Sequence, residues 1–224
     1  MKCLAIDSSV SKITITCCNE DLCVSGIYNI GMKQSETILP AIEYVLSKAG
    51  LKTTELEYLA LCSGPGSFTG LRLGFSALKA IELACNIPLY AFNTLDVYSE
   101  NFKNFPFPVI SCIDAKKDRF YAKIINGKSE LLEAGDYTPE EISTKLAELT
   151  EEKFFICGSD SDLLKEQLSS LCTKEFIDIP FTINPGEILI EMTKDAVSKG
   201  KEPLNDYDGP VYLRASEAEV KLNQ

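Results

Sequence analysis

Glycine, proline and hydroxyl side chains crowd into Gly64-Pro65-Gly66-Ser67-Phe68-Thr69-Gly70, directly after the apolar run Tyr58-Leu59-Ala60-Leu61-Cys62. A glycine-rich turn that opens a helix is a place where backbone N–H groups converge on an anion. Gly64, Gly66, Ser67 and Phe68 are therefore candidate phosphate or nucleotide contacts. The loop lacks the Gly-Lys-Ser/Thr ending of a Walker loop, has no lysine for phosphate charge, and its glycines do not fall as GxGxxG. Two aspartates stand where they could join such a site. Asp7 closes the apolar run KCLAID and Asp114 closes PVISCID. A carboxylate at a strand end can hold a metal–nucleotide, or it can fold back on its own turn through Ser8 and Ser9, or through Ala115 and Lys116. The turn is the simpler role for both.

Histidine is absent. That removes the Ser-His-Asp triad, the Cys-His dyad, imidazole bases and every imidazole-ligated metal. Nine cysteines are scattered with no CxxC pair, so a zinc or thioredoxin-like motif has no support. Reduced, buried thiols are the expectation, and with them a cytoplasmic protein. The formal net charge of −11 opposes nucleic-acid phosphates. Lys116, Lys117, Arg119 and Lys123 form the one basic cluster, and a strand sends alternate residues to opposite faces. No apolar run approaches the roughly 20 residues that span a bilayer. The start reaches an acid too early for a signal peptide.

The elements that would position these residues repeat. Strands are expected at 2–8, 12–18 and 22–30, with polar turn residues Asn19 to Asp21 between the last two. A helix from Ser35 to Ala49 carries Ile38, Leu39, Ile42, Val45, Leu46 and Ala49 on one stripe. Ser35 is its expected N-cap, Pro40 lies at the limit of the first turn, and Gly50 closes it. Strand 58–62, the glycine loop, a helix to Cys85 and strand 88–93 complete the unit. The order then restarts with strands 108–114 and 119–125, an Asn126-Gly127 hairpin, helix 139–149, strand 153–157 and helix 160–171. Ser159 is the expected cap of that last helix, with Asp160 supplying charge at its start. A βββαβα unit occurring twice, each with an acid ending its first strand, points to an α/β protein of the actin-like (RNase H-like) duplicated two-lobed class. Lobes of 1–105 and 106–224 follow, divided at Phe105-Pro106-Phe107-Pro108, with the last helix and tail free to pack back on the first lobe.

The helix after the glycine loop raises its own question. Gly70, Gly74, Ala77, Ile81 and Ala84 form a stripe of mostly small residues, while Leu71, Phe75 and Leu78 are bulky enough to cover a sheet. Glycine inside a soluble helix costs about 0.5–1 kcal/mol relative to alanine, so two of them imply close approach of another backbone. On this reading the loop delivers a packing helix rather than a nucleotide.

LAIDSS, QSETILPAI, CSGPGSFTGLRLGFSALKAIELACNIPL, DAKKDRFYAKI and GPVYLR come in the order and spacing of the TsaB (YeaZ) family, which the chain resembles over nearly its whole length. The resemblance implies a non-catalytic partner of TsaD. With the ATPase TsaE, that pair installs threonylcarbamoyl on tRNA adenosine. The family usually has histidine where Gln34 stands. TsaD-type chains carry a metal-binding pair of histidines where this sequence has Thr94 and Tyr98, neither a good transition-metal ligand. The resemblance thus implies no tightly bound cofactor, with ATP or ADP only at a complex interface, and tRNA met only through the complex. Ser35, Glu36, Leu39, Ile42 and Glu43 of the first helix, with Gly70, Leu73, Gly74, Ala77 and Ile81 of the second, are the candidate docking face. The same face is open to a homodimer when TsaD is absent. The rival functions are an actin-like ATP-dependent kinase or ATPase using Asp7 and Asp114, and a glycoprotease, a label relatives have carried.

Overall fold

The structure, a computed structural model, describes residues 1–178 and 184–214. In chain order the first half holds β1 (Lys2–Asp7), β2 (Lys12–Asn19), β3 (Leu22–Asn29), α1 (Gln34–Ala49), β4 (Tyr58–Gly64), α2 (Phe68–Cys85), β5 (Leu89–Asn93) and α3 (Thr94–Ser99). The second holds β6 (Val109–Asp114), β7 (Phe120–Asn126), β8 (Ser129–Tyr137), α4 (Pro139–Glu148), β9 (Lys153–Cys157), α5 (Ser161–Leu171) and β10 (Glu175–Asp178), followed by α6 (Pro185–Ser198). One sheet runs β3-β2-β1-β4-β5 and the other β8-β7-β6-β9-β10, so the duplication extends to strand order. In each, the first strand pairs antiparallel with the second and parallel with the fourth. This is the duplicated actin-like α/β architecture.

The chain divides into Met1–Val97 with Asn184–Val211, and Tyr98–Ile183 with the segment from Tyr212. The boundary thus falls before 105, and α6 belongs to the first lobe; the end of the second lobe, 215–224, lies outside the described residues.

The first sheet is apolar on both faces because helices cover both. Leu4, Ile6, Ile13, Ile15, Leu59 and Leu61 join Ile38, Val45, Phe75 and Leu78 of α1 and α2 in one core. Residues of the opposite parity are small, among them Ala5, Thr16 and Ala60, and α6 lies against β1, β2 and β4. A Cβ on Gly186 would stand 2.0 Å from Thr16 Oγ1, so the α6 backbone all but touches the sheet. That helix carries signals a sequence reading can use: Asn184 Oδ1 accepts from Gly186 N, Pro185 takes the first turn, and Glu187 follows. In the second lobe Thr138 and Glu141 form a reciprocal capping box on α4. Ile142, Leu146, Leu164 and Leu168 then bury against Ile110, Phe154 and Ile156.

Four local expectations need correction. α1 starts at Gln34, not Ser35, because a 3-10 turn over Gly31–Lys33 leads into it, and no side chain caps it. Pro40 lies beyond the first turn, inside that helix. Asp160 occupies the N-cap position of α5 without capping it, and its carboxylate accepts instead from the Asp114 N–H at 3.0 Å. Not all thiols are free: Cys18 and Cys23 are bonded, while Cys3, Cys17, Cys62, Cys85, Cys112, Cys157 and Cys172 are not.

Burial pushes the Cys17 thiol from the ordinary 9.0 up to about 11 and Cys157 up to about 12, with Cys3 and Cys112 raised as well. These groups stay protonated in the fold but ionise in the unfolded chain, so their contribution is whole below pH 9.0 and declines as pH climbs toward 11 and 12. Melting temperature should therefore fall between about pH 7 and about pH 10. Native alkylation at about pH 8 should label Cys85 and Cys172, half-buried, and spare Cys3, Cys17, Cys62, Cys112 and Cys157. Peptide mass spectrometry that finds the buried five labelled at the same rate would refute this.

Candidate functional site

Parallel pairing of β1 with β4 brings Asp7 and the glycine loop to the same edge of the first sheet. Asp7 is buried, and its Oδ1 accepts from the Ser9 N–H at 2.9 Å and the Ser9 hydroxyl at 2.5 Å. In the other lobe Asp114 Oδ1 accepts from the Lys116 N–H at 2.7 Å, again two residues on. Each strand-end acid thus closes the turn that follows it. Cys62, at the end of β4, has its thiol pushed well up by burial first and by the neighbouring Asp7 next.

The Asp7 turn presents Ser8 and Ser9 to the loop, and the loop closes on them. Gly64 has φ +113, and a Cβ there would lie 2.4 Å from the carbonyl oxygen of Val211, whose own N–H donates to Ser63 O at 2.7 Å. The Gly64-Pro65 peptide is cis. A Cβ on Gly66 would stand 2.3 Å from Ser9 O, the oxygen that accepts the Ser67 N–H at 2.6 Å. Ser67 caps α2 by accepting from Gly70 N at 3.2 Å. The Ser8 hydroxyl donates to Gly70 O at 2.8 Å, and a Cβ on Gly70 would meet Ser8 O at 2.1 Å. On Gly74 it would meet Ser8 Oγ at 2.4 Å. The Ser67 amide of this loop therefore already holds this chain's own carbonyl. Phe68 turns its ring to the Arg72 guanidinium, 3.8 Å away.

The candidate docking residues divide. Gly70 and Gly74 face Ser8, Ala77 is buried in the lobe's own core, and Ile42 is 4% exposed within it. The expectation that these four present themselves to a partner is overturned: the close backbone approach that the glycines permit is to β1's turn. Leu73 and Ile81 are half-buried against the same core. Ser35, Glu36 and Glu43 are exposed, and Leu39 is 59% exposed. Tyr44 at 52% and Leu83 at 76% are large exposed apolar residues the sequence reading missed. Both stand in mixed apolar and polar stretches that read as core stripe as easily as surface, and only the packing shows that they are exposed.

Gln34, in place of the family's histidine, is buried and donates from Nε2 to Val10 O at 3.0 Å. Its Oε1 lies 3.2 Å from where a Gly70 Cβ would be. An amide thus ties the start of α1 to the turn after β1 and lies against α2. Thr94 and Tyr98 are both buried. Among the described residues no three His, Cys, Asp or Glu side chains gather as a metal site. No described helix is long and apolar enough to cross a membrane.

Lys116, Arg119 and Lys123 of the second lobe's basic cluster pair with nearby carboxylates. Lys116 pairs with Asp114, Lys123 with Glu130, and Arg119 Nε with Asp136 Oδ1 at 3.0 Å. Arg214, from the GPVYLR segment, grips both oxygens of Asp136 at 2.8 and 3.1 Å and donates to Ala115 O at 3.0 Å. That geometry pins the GPVYLR segment to the second lobe.

Residues 31–198 match the family model described as TsaD, tRNA N6-adenosine threonylcarbamoyltransferase. The chain is 28% identical, over 99% of its length and 97% of the relative's, to the tRNA threonylcarbamoyladenosine biosynthesis protein TsaB of Bacillus subtilis. It is 25% identical to the Escherichia coli protein of the same name, over 99% of this chain and 98% of that one. Among solved structures, YeaZ from Pseudomonas aeruginosa superposes with a TM-score of 0.75 at 21% identity, covering 95% of this chain and 99% of that one.

Proposed function

Because the chain belongs to the TsaB/YeaZ family of tRNA threonylcarbamoyladenosine biosynthesis proteins, we propose that it is the non-catalytic subunit that docks on TsaD. The observation that carries this reading is the use of its chemistry-bearing groups. Asp7 and Asp114 hold their own turns, and the glycine loop closes on Ser8 and Ser9. The thiols whose shifts are resolved are shifted away from the reactive thiolate. What remains is a scaffold.

The docking face on this proposal is the exposed side of α1, through Ser35, Glu36, Leu39, Glu43 and Tyr44, with Leu83 on α2. Large apolar residues rimmed by charge suit a specific protein interface. TsaE joins the pair as the ATPase, any ATP or ADP sits at a complex interface, and tRNA reaches the chain only through the complex. The same face serves self-pairing when TsaD is absent. The site of action is the cytoplasm.

Leu39→Glu tests the face. Leu39 lies outside the core, so melting temperature should stay within about 2 °C of the parent, while affinity for TsaD drops on the order of tenfold or more. Calorimetric titration reads both the parent and the variant. A parent that does not bind TsaD defeats the function, and a variant that binds as tightly as the parent defeats the face alone.

A further inference from the structure

The turn between β2 and β3 is a two-residue loop, Glu20-Asp21, with Glu20 at φ 56. Its register sets Asn19 opposite Leu22 and therefore Cys18 opposite Cys23. The pair next to the closing pair of such a hairpin is the non-hydrogen-bonded kind, which brings Cα atoms closest. Here they are 4.1 Å apart and the sulfurs are bonded. Cys18 is buried, whereas Cys23 is exposed on the edge strand. The remaining thiols contrast with this pair. Cys3, Cys17, Cys62, Cys112 and Cys157 are buried and free, and none of the seven free cysteines is bonded to another.

We propose that Cys18 and Cys23 form a thiol–disulfide exchange site, a two-electron couple opened and closed by low-molecular-weight thiols. In the opening step the thiolate of a small thiol attacks the exposed Cys23 sulfur. The Cys18–Cys23 bond breaks, Cys18 leaves as thiolate and takes up a proton, and a mixed disulfide remains on Cys23. A second small thiol attacks that mixed disulfide on the small thiol's sulfur. Cys23 is released and protonated, and the two small thiols depart as their own disulfide. Two electrons pass from the small thiols to the protein, and oxidation by the small disulfide reverses each step. The exposed sulfur is the accessible point of attack, and the buried Cys18 is held by the register where it can close the bond again.

The hairpin tip anchors other segments. Asn19 Nδ2 donates to Ala49 O at the end of α1 at 2.9 Å, and the Glu20 N–H donates to Met1 O at 3.2 Å. Opening the bond loosens the tip and the last carbonyls of α1 with it.

The chain is equilibrated in glutathione buffers running from wholly reduced to wholly oxidised, quenched in acid, alkylated and read by peptide mass spectrometry. Cys18 and Cys23 should convert together at an intermediate ratio while Cys3, Cys17, Cys62, Cys112 and Cys157 keep one state throughout. Hydrogen exchange should show amides 19–22 opening on the order of tenfold faster in the reduced form, as expected for release of a cross-link. Cys23→Ser should abolish the transition and exchange like the reduced parent. A bond that survives the wholly reduced buffer, or two thiols that never pair in the oxidised one, overturns the proposal.

Discussion

Gly158→Ala should cost the second lobe more than any other single methyl group, and Gly70→Ala should cost the first lobe more than Gly74→Ala. Gly158 ends β9 at φ +122, and an added Cβ would lie 1.9 Å from the Cys112 carbonyl oxygen. Strain from a disfavoured φ and overpacking against fixed backbone each contribute about 1–3 kcal/mol, so a loss on the order of 3–5 kcal/mol is expected. For a chain of this size that lowers the melting temperature by roughly 10 °C. Gly70 meets the Ser8 carbonyl, also backbone, whereas Gly74 meets only the Ser8 hydroxyl. That hydroxyl can rotate, at the loss of its bond to Gly70 O. Gly74→Leu has no such escape and should damage folding before it touches any partner. Hydrogen exchange resolved by lobe measures the order. Equal melting of Gly158→Ala and the parent would show that the close approach is not real.

Asp7→Ala should destabilise the first lobe by about 2–4 kcal/mol, because it strands two buried donors that the carboxyl oxygen now satisfies. The Ser9 N–H and hydroxyl both lose Oδ1. Asp7→Asn keeps an acceptor oxygen at the same place and should recover about half of the loss. This pair of variants separates the turn role from the rival ATPase. If Asp7 served a metal–nucleotide, its carboxylate would be a cost in the empty protein, and both variants would melt at or above the parent. Phosphate release by the purified chain that disappears in Asp7→Asn would support the same rival.

The duplication was legible because it is written twice in the same alphabet: an apolar run ending in aspartate, two alternating strands, an amphipathic helix. Side-chain periodicity states which residues share a face. It does not state what that face meets. Gly70 and Gly74 were read as a closely packed stripe facing a partner, whereas their neighbour is Ser8, some sixty positions earlier in the chain, and Ala77 lies in the lobe's own core. Ile42 failed the same way, sharing a stripe with Leu39 but lying deeper on it. The Cys18–Cys23 pairing was not legible, because a turn read at Asn19 to Asp21 sets Cys18 opposite Leu22, and only the observed two-residue turn Glu20-Asp21 shifts the register by one to oppose Cys23. Ser35 was displaced by one residue because a 3-10 turn precedes α1, a shift that propensity does not register.

The path of residues 184–211 has a consequence for synthesis. These residues lie in the first lobe, where α6 covers β1, β2 and β4 and Leu204 N donates to Leu89 O along the outer edge of β5 at 2.8 Å. The second lobe's body, 98–183, is by contrast one uninterrupted stretch. A nascent chain leaving the ribosome therefore carries the first lobe's strands with one apolar face bare until the codons for α6 have been read. Domains generally fold in the order they emerge, but here the lobe that starts first is not complete until the second lobe's body has been made. The small residues Ala5, Thr16 and Ala60 of that waiting face offer a poor grip to other sticky chains. Less apolar area per residue stands bare on it than Leu4, Ile6, Leu59 and Leu61 would leave on the opposite face.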